Sequence, residues 1–247
     1  MNYVPTSISG KRVLISGGTT GIGRAIAVAL VRKGCDVLVF GRHKQELDDA
    51  LRCMRDAGTT GDGMVADQAS LEDVRRVIHR VAEKWGKIDY LINNAAVGGE
   101  SLMKDDPANW DYVARANLVG YLTCSRYAVE RMPDKGGHII NIGSITAEHL
   151  NPGSEIYTAT KAGIRAFSES LRKGLEKRCI KVSLIEPGLT GSDLHEEPVE
   201  KLEEQQRDEK MMIAEDIAAC VVFCLEQPSR ANISLIQILP RRAEEAD

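Results

Sequence analysis

Arg12-Val-Leu-Ile-Ser16-Gly17-Gly-Thr-Thr-Gly21-Ile-Gly23-Arg-Ala-Ile-Ala-Val-Ala-Leu30 is the stretch that decides the fold. An apolar run, Arg12–Ser16, has the composition of a strand, and Ile22–Arg32 repeats its apolar residues at helical spacing. Between them, Gly17, Gly21 and Gly23 permit a tight turn and let a pyrophosphate approach the backbone at a helix N-terminus. Thr19, Thr20 and Ile22 fall in the same loop. The spacing is G-x-x-x-G-x-G instead of the commoner G-x-G-x-x-G. No Gly-Lys-Ser/Thr follows, which argues against an ATP or GTP phosphate loop.

Working outward, strand patterns recur at Asp36–Phe40, Gly63–Ala66, Ile88–Ile92, His138–Ile142, Lys181–Ile185 and Ser234–Leu239. Amphipathic stretches alternate with them, including Leu71–Trp85, Trp110–Arg131, Ser154–Lys177 and Ala214–Glu226. This alternation predicts an α/β fold, a Rossmann-type doubly wound parallel sheet of about seven strands with helices on both faces. Near-continuous Val, Leu and Ile in the strands agree with a sheet covered on both sides. No linker or repeat divides the chain, so a single domain over residues 1–247 is expected. A cofactor half would span about 11–145 and a catalytic half about 146–247, with a charged lid at about 189–212.

The 247 residues include 43% hydrophobic and 28% charged residues, ordinary for a soluble globular protein. A net charge of −4 without a long basic block offers no surface for nucleic acid or an anionic membrane. The six cysteines have no C-x-x-C or paired zinc spacing and read as small core residues, so no metal is expected. Neither a signal peptide nor a membrane-crossing run is evident, and a cytoplasmic location is expected.

The second strand pattern runs into Gly41-Arg42-His43-Lys44, where an enzyme that prefers NAD usually carries an acid for the ribose 2′-hydroxyl. An acid would repel a 2′-phosphate, whereas the planar fork of Arg42 can pair with one. The expected cofactor is NADP (NADPH) in preference to NAD, with His43 beside it.

Tyr157-Thr-Ala-Thr-Lys161 sets a phenol and an ammonium four residues apart on one helix face. A tyrosine titrates near pH 10, so acid–base work at neutrality needs a shift of roughly 3 units, or about 4 kcal/mol. One cation at about 5 Å in an effective dielectric near 20 supplies roughly 3 kcal/mol. The pair therefore predicts a proton donor for a carbonyl, although two exposed surface residues would have the same spacing.

With these residues in view, the chain resembles the short-chain dehydrogenase/reductase family over nearly its whole length. The family's cofactor loop matches Ser16–Gly23, and its third-strand aspartate, which contacts adenine, matches Asp67. Its Asn-Asn-Ala-Gly stretch matches Asn93-Asn94-Ala95-Ala96, with Ala96 departing from the pattern. The catalytic tetrad falls on Asn117, Ser144, Tyr157 and Lys161. The resemblance implies that Ser144 polarises the substrate oxygen, that Lys161 also holds the nicotinamide ribose, and that Asn117 binds a water linking Lys161 to solvent. Pro187-Gly188, with Thr190 and Ser192, resembles the segment that holds the nicotinamide carboxamide. The ending through Pro240 is similar to a branch that includes clavulanic acid dehydrogenase and NADP-dependent serine and 3-hydroxy acid dehydrogenases, but Leu239 stands where that branch has arginine.

The implied activity is hydride transfer between a small or medium ketone or aldehyde and its alcohol or hydroxy acid. Alternatives are 3-oxoacyl-carrier-protein reduction and a catalytically idle NADP sensor. Specificity is expected from Val97–Leu102, Ala147–Glu155 and Leu189–Met212, with His149 and Glu155 on the rim. A homodimer or homotetramer is implied through the helix that carries Tyr157.

Overall fold

In β1 (Arg12–Ser16), Val13 and Ile15 pack into one apolar cluster and Leu14 into another. Side chains alternate across a strand, so both sides of this sheet are covered. The chain is described by a computed structural model over residues 4–58, 61–134, 136–150, 152–191 and 199–242. Its strands continue with β2 (Asp36–Gly41), β3 (Asp62–Val65), β4 (Tyr90–Asn93), β5 (His138–Ile142), β6 (Lys181–Pro187) and β7 (Leu235–Ile238). All seven pair in parallel in the order β3-β2-β1-β4-β5-β6-β7. The expected doubly wound sheet is therefore present, and its direction of growth reverses between β1 and β4.

On one side, α1 (Gly21–Arg32) and α9 (Ala214–Leu225) bury Ile26, Leu30, Ile217 and Val221 against Val13, Ile15 and Val39. On the other, α3 (Leu71–Trp85) and α5 (Gly120–Arg131) bury Val74, Val77, Cys124 and Ala128 against Leu14, Leu38 and Leu91. Ser70 caps α3 by accepting a bond from the Asp73 N–H at 3.2 Å, which satisfies one of the free donors of the first turn. The remaining helices are α2 (Lys44–Asp56), α4 (Pro107–Ala114), α6 (Thr146–His149), α7 (Glu155–Gly174) and α8 (Val199–Arg207).

Several boundaries differ from the sequence pattern. The pattern does not single out α2, because its buried stripe is only Leu47, Ala50 and Met54 in a charged helix. The stretch Trp110–Arg131 begins earlier, at Pro107, where Asp106 caps the helix by accepting from the Ala108 N–H at 2.7 Å. It is also broken by a π-helical turn, Arg115–Val119, between α4 and α5. Such turns insert a residue into a helix and are frequent at functional sites. Strand β4 starts at Tyr90 rather than Ile88, whose N–H bonds to the Arg131 carbonyl instead of a strand. No helix among the described residues is long and apolar enough to cross a membrane.

Candidate active site

The reversal of strand order between β1 and β4 opens a crevice beyond their carboxyl ends, where ligands bind in sheets of this kind. A cleft of about 1120 Å³ lies there. Its walls include Gly17, Thr19, Thr20, Gly21 and Ile22 from the glycine loop, and Arg42, His43 and Asp67 from the ends of β2 and β3. Asn94 and Ala95 line it after β4, Ser144, Tyr157 and Lys161 from the β5–α7 region, and Pro187, Gly188 and Thr190 after β6. One concavity thus gathers most of the residues the sequence singles out. Gly23 and Asn117 lie behind its wall, and Ser192 lies outside the described residues.

The glycine loop is held open for a ligand by its neighbours. Ser16 Oγ accepts from the Asn94 and Ala95 N–H groups at 3.0 and 3.2 Å. Asn94 Nδ2 in turn donates to the Gly17 carbonyl at 2.9 Å. Gly17 has φ +61°, and a Cβ there would lie 2.6 Å from Ala95 Cα; one on Gly23 would overlap the Gly17 carbonyl. Thr20, the N-cap of α1, makes no side-chain cap bond, and the first turn carries no acid. Free N–H groups and the positive end of the helix dipole therefore face the cleft, an arrangement that fits the pyrophosphate of a dinucleotide.

At the far end, Arg42 Nη1 donates to Tyr112 Oη at 2.8 Å, and Tyr112 donates to Asp67 Oδ2 at 2.9 Å. Asp67 Oδ1 accepts from the Ala69 N–H at 2.8 Å. Nothing in the sequence pattern points to Tyr112, which reaches the cleft from α4.

The opposite end holds the proton-transfer candidates. Ser144 Oγ accepts from Thr146 Oγ1 at 2.9 Å and from the Thr146 N–H at 3.2 Å. With both acceptor positions used, its own proton is left to donate, and the hydroxyl bears on the Tyr157 phenol, lowering its pKa. Lys161 Nζ donates to the Ile142 carbonyl at 3.0 Å and sits 5.5 Å from the centre of the Tyr157 ring. The same carbonyl accepts from Tyr121 Oη at 3.0 Å, and the Tyr121 ring centre is 5.8 Å from the ammonium.

Burial reverses part of the electrostatic expectation. It raises the Tyr157 pKa above its ordinary value, opposed by the Ser144 hydrogen bond, and pushes Lys161 down to about 7. The Coulomb estimate from helical spacing omitted the cost of removing both groups from water, and that cost dominates in the free protein. Tyr157 is therefore protonated at neutral pH, the form that can donate.

Asn117 sits on the π-helical turn with its amide committed to the chain. Its Oδ1 accepts from the Val97 N–H and its Nδ2 donates to the Val97 carbonyl, both at 2.8 Å; a longer bond of 3.4 Å reaches Thr160. The side chain thus fixes the loop after β4, a role the expected water contact did not foresee. Thr160 is buried there, its Oγ1 donating to the Tyr157 carbonyl at 2.7 Å.

The family model for short chain dehydrogenase matches residues 11–203. The chain belongs to the short-chain dehydrogenase/reductase family. It is 32% identical over 198 residues to a 3-oxoacyl-[acyl-carrier-protein] reductase of Staphylococcus aureus, covering 79% of this chain and 80% of the relative. A short-chain dehydrogenase from Burkholderia cenocepacia, solved in complex with NADP, superposes with TM-score 0.86 at 28% identity over 95% of this chain and 98% of that one. L-sorbose reductase from Gluconobacter frateurii, solved with NADPH and L-sorbose, gives TM-score 0.87 at 25% identity over 98% of this chain and all (100%) of that one.

In this member of the short-chain dehydrogenase/reductase family, buried amides tie the cleft together. Asn93 Nδ2 donates to Asn141 Oδ1 at 2.8 Å, Asn141 Nδ2 to Ser168 Oγ at 2.8 Å, and Ser168 to the Ile164 carbonyl at 2.7 Å. This chain joins β4 and β5 to the helix carrying Tyr157. Gln68 Nε2 donates to the Ala116 carbonyl at 2.7 Å and the Ala95 carbonyl at 3.2 Å. Gln68 and Tyr121 have no local sequence signal, since each acts only through partners distant in the chain. On the rim, Glu155 accepts from the N–H groups of Leu102 and Gly153, joining two of the loops expected to set specificity. Of the expected lid, residues 192–198 lie outside the described part. Its ends meet where the Gly191 N–H donates to the Met212 carbonyl at 2.8 Å.

Proposed function

We propose that this oxidoreductase uses NADP to interconvert a small or medium ketone or aldehyde with its alcohol or hydroxy acid, Tyr157 being the general acid and base. The observation that carries the reading is the meeting of Ser144, Tyr157 and Lys161 at one end of a cleft whose other end presents free helix N–H groups and Arg42. The bound cofactor would supply or accept the hydride. Tyr157 would give its proton to the substrate oxygen, which suits the protonated state it holds when free. Ser144, its lone pairs occupied by Thr146, would donate to that oxygen and fix its distance from the phenol. Lys161 would hold the nicotinamide ribose hydroxyls and bear on the phenol, and Asn117 would keep the β4 loop in place beside them.

For the cofactor, the glycine loop would take the pyrophosphate, Arg42 and His43 the 2′-phosphate, and Asp67, Asn94 and Ala95 the adenosine side. Pro187, Gly188, Thr190 and Ser192 would hold the carboxamide. The NADP and NADPH complexes of the two similar structures support the cofactor assignment. The whole chain would act as one unit with the lid at 189–212, in the cytoplasm, as a homodimer or homotetramer formed through α7. Resemblance to the branch with clavulanic acid dehydrogenase rests on the strand before Pro240 and is weakened by Leu239.

A second reading, 3-oxoacyl-carrier-protein reduction, is favoured by the identity with the S. aureus reductase. Against it, the cleft mouth carries Glu100 and Asp105, which would repel an acidic carrier. A screen of carbonyls and alcohols that follows NADPH absorbance tests both readings. Tyr157→Phe should lower kcat by roughly 100-fold or more on every accepted substrate while NADPH binding persists. Unchanged turnover in that variant would remove Tyr157 from the mechanism.

A further inference from the structure

Arg42 carries the expected NADP preference, yet its side chain is exposed and extends from a loop. Such a side chain samples many rotamers in water, and gathering it onto a phosphate is costly unless something already holds it. Here something does. Tyr112, on α4 across the crevice from β2, accepts a hydrogen bond from Arg42 Nη1 at 2.8 Å, and the guanidinium carbon stands 5.6 Å from its ring centre. Tyr112 is the only hydrogen-bond partner of the Arg42 side chain among the described residues.

The polarity of this contact is fixed from the other side. Tyr112 donates to Asp67 Oδ2 at 2.9 Å, so its lone pairs point toward Arg42. Burial and the Asp67 carboxylate both raise the phenol pKa and keep the donor proton in place. Asp67 is itself pinned by the Ala69 N–H at 2.8 Å. Three segments separate in sequence, the ends of β2 and β3 and the helix α4, are thus linked by a single chain of hydrogen bonds lining the cleft. Gly41 brings the backbone close to the glycine loop, since a Cβ there would overlap the Thr19 side chain. The guanidinium is consequently anchored beside the phosphate loop, with one of its five N–H groups used and the others available.

We infer that Tyr112 is a specificity-determining positioning residue, which holds Arg42 in the conformation that receives the 2′-phosphate of an adenosine ribose. The inference rests on the NADP reading above and deepens it. Tyr112 recognises no phosphate itself; it lowers the ordering cost of the arginine that does. Its removal should therefore weaken ligands that carry a 2′-phosphate and spare those that lack one.

The test is titration of the full chain with adenosine 2′,5′-bisphosphate and with 5′-AMP, by calorimetry, for the parent, Tyr112→Phe, Arg42→Ala and the double variant. Phenylalanine keeps the ring and its packing but removes both hydrogen bonds. Bisphosphate affinity should fall roughly 3- to 10-fold in Tyr112→Phe, the equivalent of one freed side chain, with 5′-AMP affinity changing less than about 2-fold. Arg42→Ala should abolish the preference, and adding Tyr112→Phe to it should change nothing further. An undiminished preference in Tyr112→Phe, or equal weakening of both ligands, would overturn the inference while leaving the NADP reading intact. Absence of any preference in the parent would overturn both. Thermal melting of each variant separates loss of fold from loss of affinity, and Arg42→Ala, at an exposed site, supplies a readout that does not depend on the tyrosine.

Discussion

Replacing Lys161 with methionine should abolish turnover and stabilise the free protein. Lys161 is buried, 2% exposed, and its pKa falls from 10.5 to about 7 because the charged form is separated from water. A fold that depresses a pKa by that amount works against the proton the unfolded chain would hold. The conflict amounts to about 4 kcal/mol at pH 7, where the amine is half protonated. Methionine has a similar length, brings no charge, and leaves the Ile142 carbonyl paired with Tyr121 at 3.0 Å. It forfeits the 3.0 Å bond from Nζ to that carbonyl and the attraction to two tyrosine rings. Subtracting about 1–2 kcal/mol for these leaves a net gain of about 2–3 kcal/mol. At about 2–4 °C per kcal/mol for a chain of this size, Tm should rise by roughly 5–10 °C.

The pH dependence carries the stronger test. The folded pKa lies below the unfolded one, so between about pH 7 and 10.5 the unfolded chain binds more protons and the parent gains stability as pH rises. The advantage of Lys161→Met is therefore full below pH 7, vanishes between about pH 9 and 10, and gives way near pH 10.5 to a deficit of about 1 kcal/mol from the lost contacts. Urea denaturation of both proteins at matched pH removes the contributions of other titrating groups, which cancel in the difference. A variant less stable than the parent at pH 7, or a stability difference constant from pH 6.5 to 10, would refute the account of a strained, buried amine. A gain of stability with loss of activity is the trade expected where function requires a group the fold disfavours.

Two further predictions concern the frame around the site. His138, buried with Nε2 2.8 Å from Ser183 Oγ and with Nδ1 unpaired, has its pKa lowered to about 3 by burial. Its stabilising contribution is present above the unfolded value of about 6.5 and is lost as pH falls toward 3, amounting to about 2 kcal/mol by pH 5. His138→Phe should flatten that loss in urea titrations, and a parent–variant difference unchanged between pH 7 and 5 contradicts it. Arg165 Nε stands 3.5 Å from the fully buried carboxylate of Glu186, which precedes the Pro187–Gly188 wall of the cleft. Arg165→Met should cost about 3 kcal/mol by leaving that carboxylate with the neutral Gln237 amide at 3.1 Å and no cation, and less in a Glu186→Gln background. Equal losses in both backgrounds, measured as a double-mutant cycle, would show that the ion pair is not the cause.

Features whose chemistry is local in sequence were legible from it. The strand–glycine–helix junction, the i, i+4 pair at Tyr157 and Lys161, and the alternation behind a parallel sheet all depend on neighbours a few residues away. The distance assumed for the Tyr–Lys pair, about 5 Å, is close to the 5.5 Å from Nζ to the ring centre. The sign of the outcome was not accessible, because it turns on desolvation, and burial is a property of the assembled fold. Tyr112, Tyr121 and Gln68 were invisible for a related reason. Each matters through a partner 45 or more residues away for Tyr112 and Gln68, and through the Ile142 carbonyl for Tyr121. Helix α2 was obscured differently: its apolar stripe covers too few residues to stand out from a charged surface.

The way these distant residues act would let the site stay rigid while the loops proposed to bind substrate change. Their bonds go largely to backbone: Gln68 to the Ala95 and Ala116 carbonyls, Asn117 to both polar groups of Val97, and Lys161 with Tyr121 to the Ile142 carbonyl. Backbone partners do not depend on which side chain occupies the position, so changes at Val97 or Ile142 that preserve volume leave the frame intact. The loops beyond that frame are joined to each other by the Glu155 carboxylate and carry exposed Leu102, Met103 and Leu150. Substitutions there should therefore alter which carbonyl is accepted more than how its proton is delivered, a separation seen as shifts in KM among substrates at little-changed kcat.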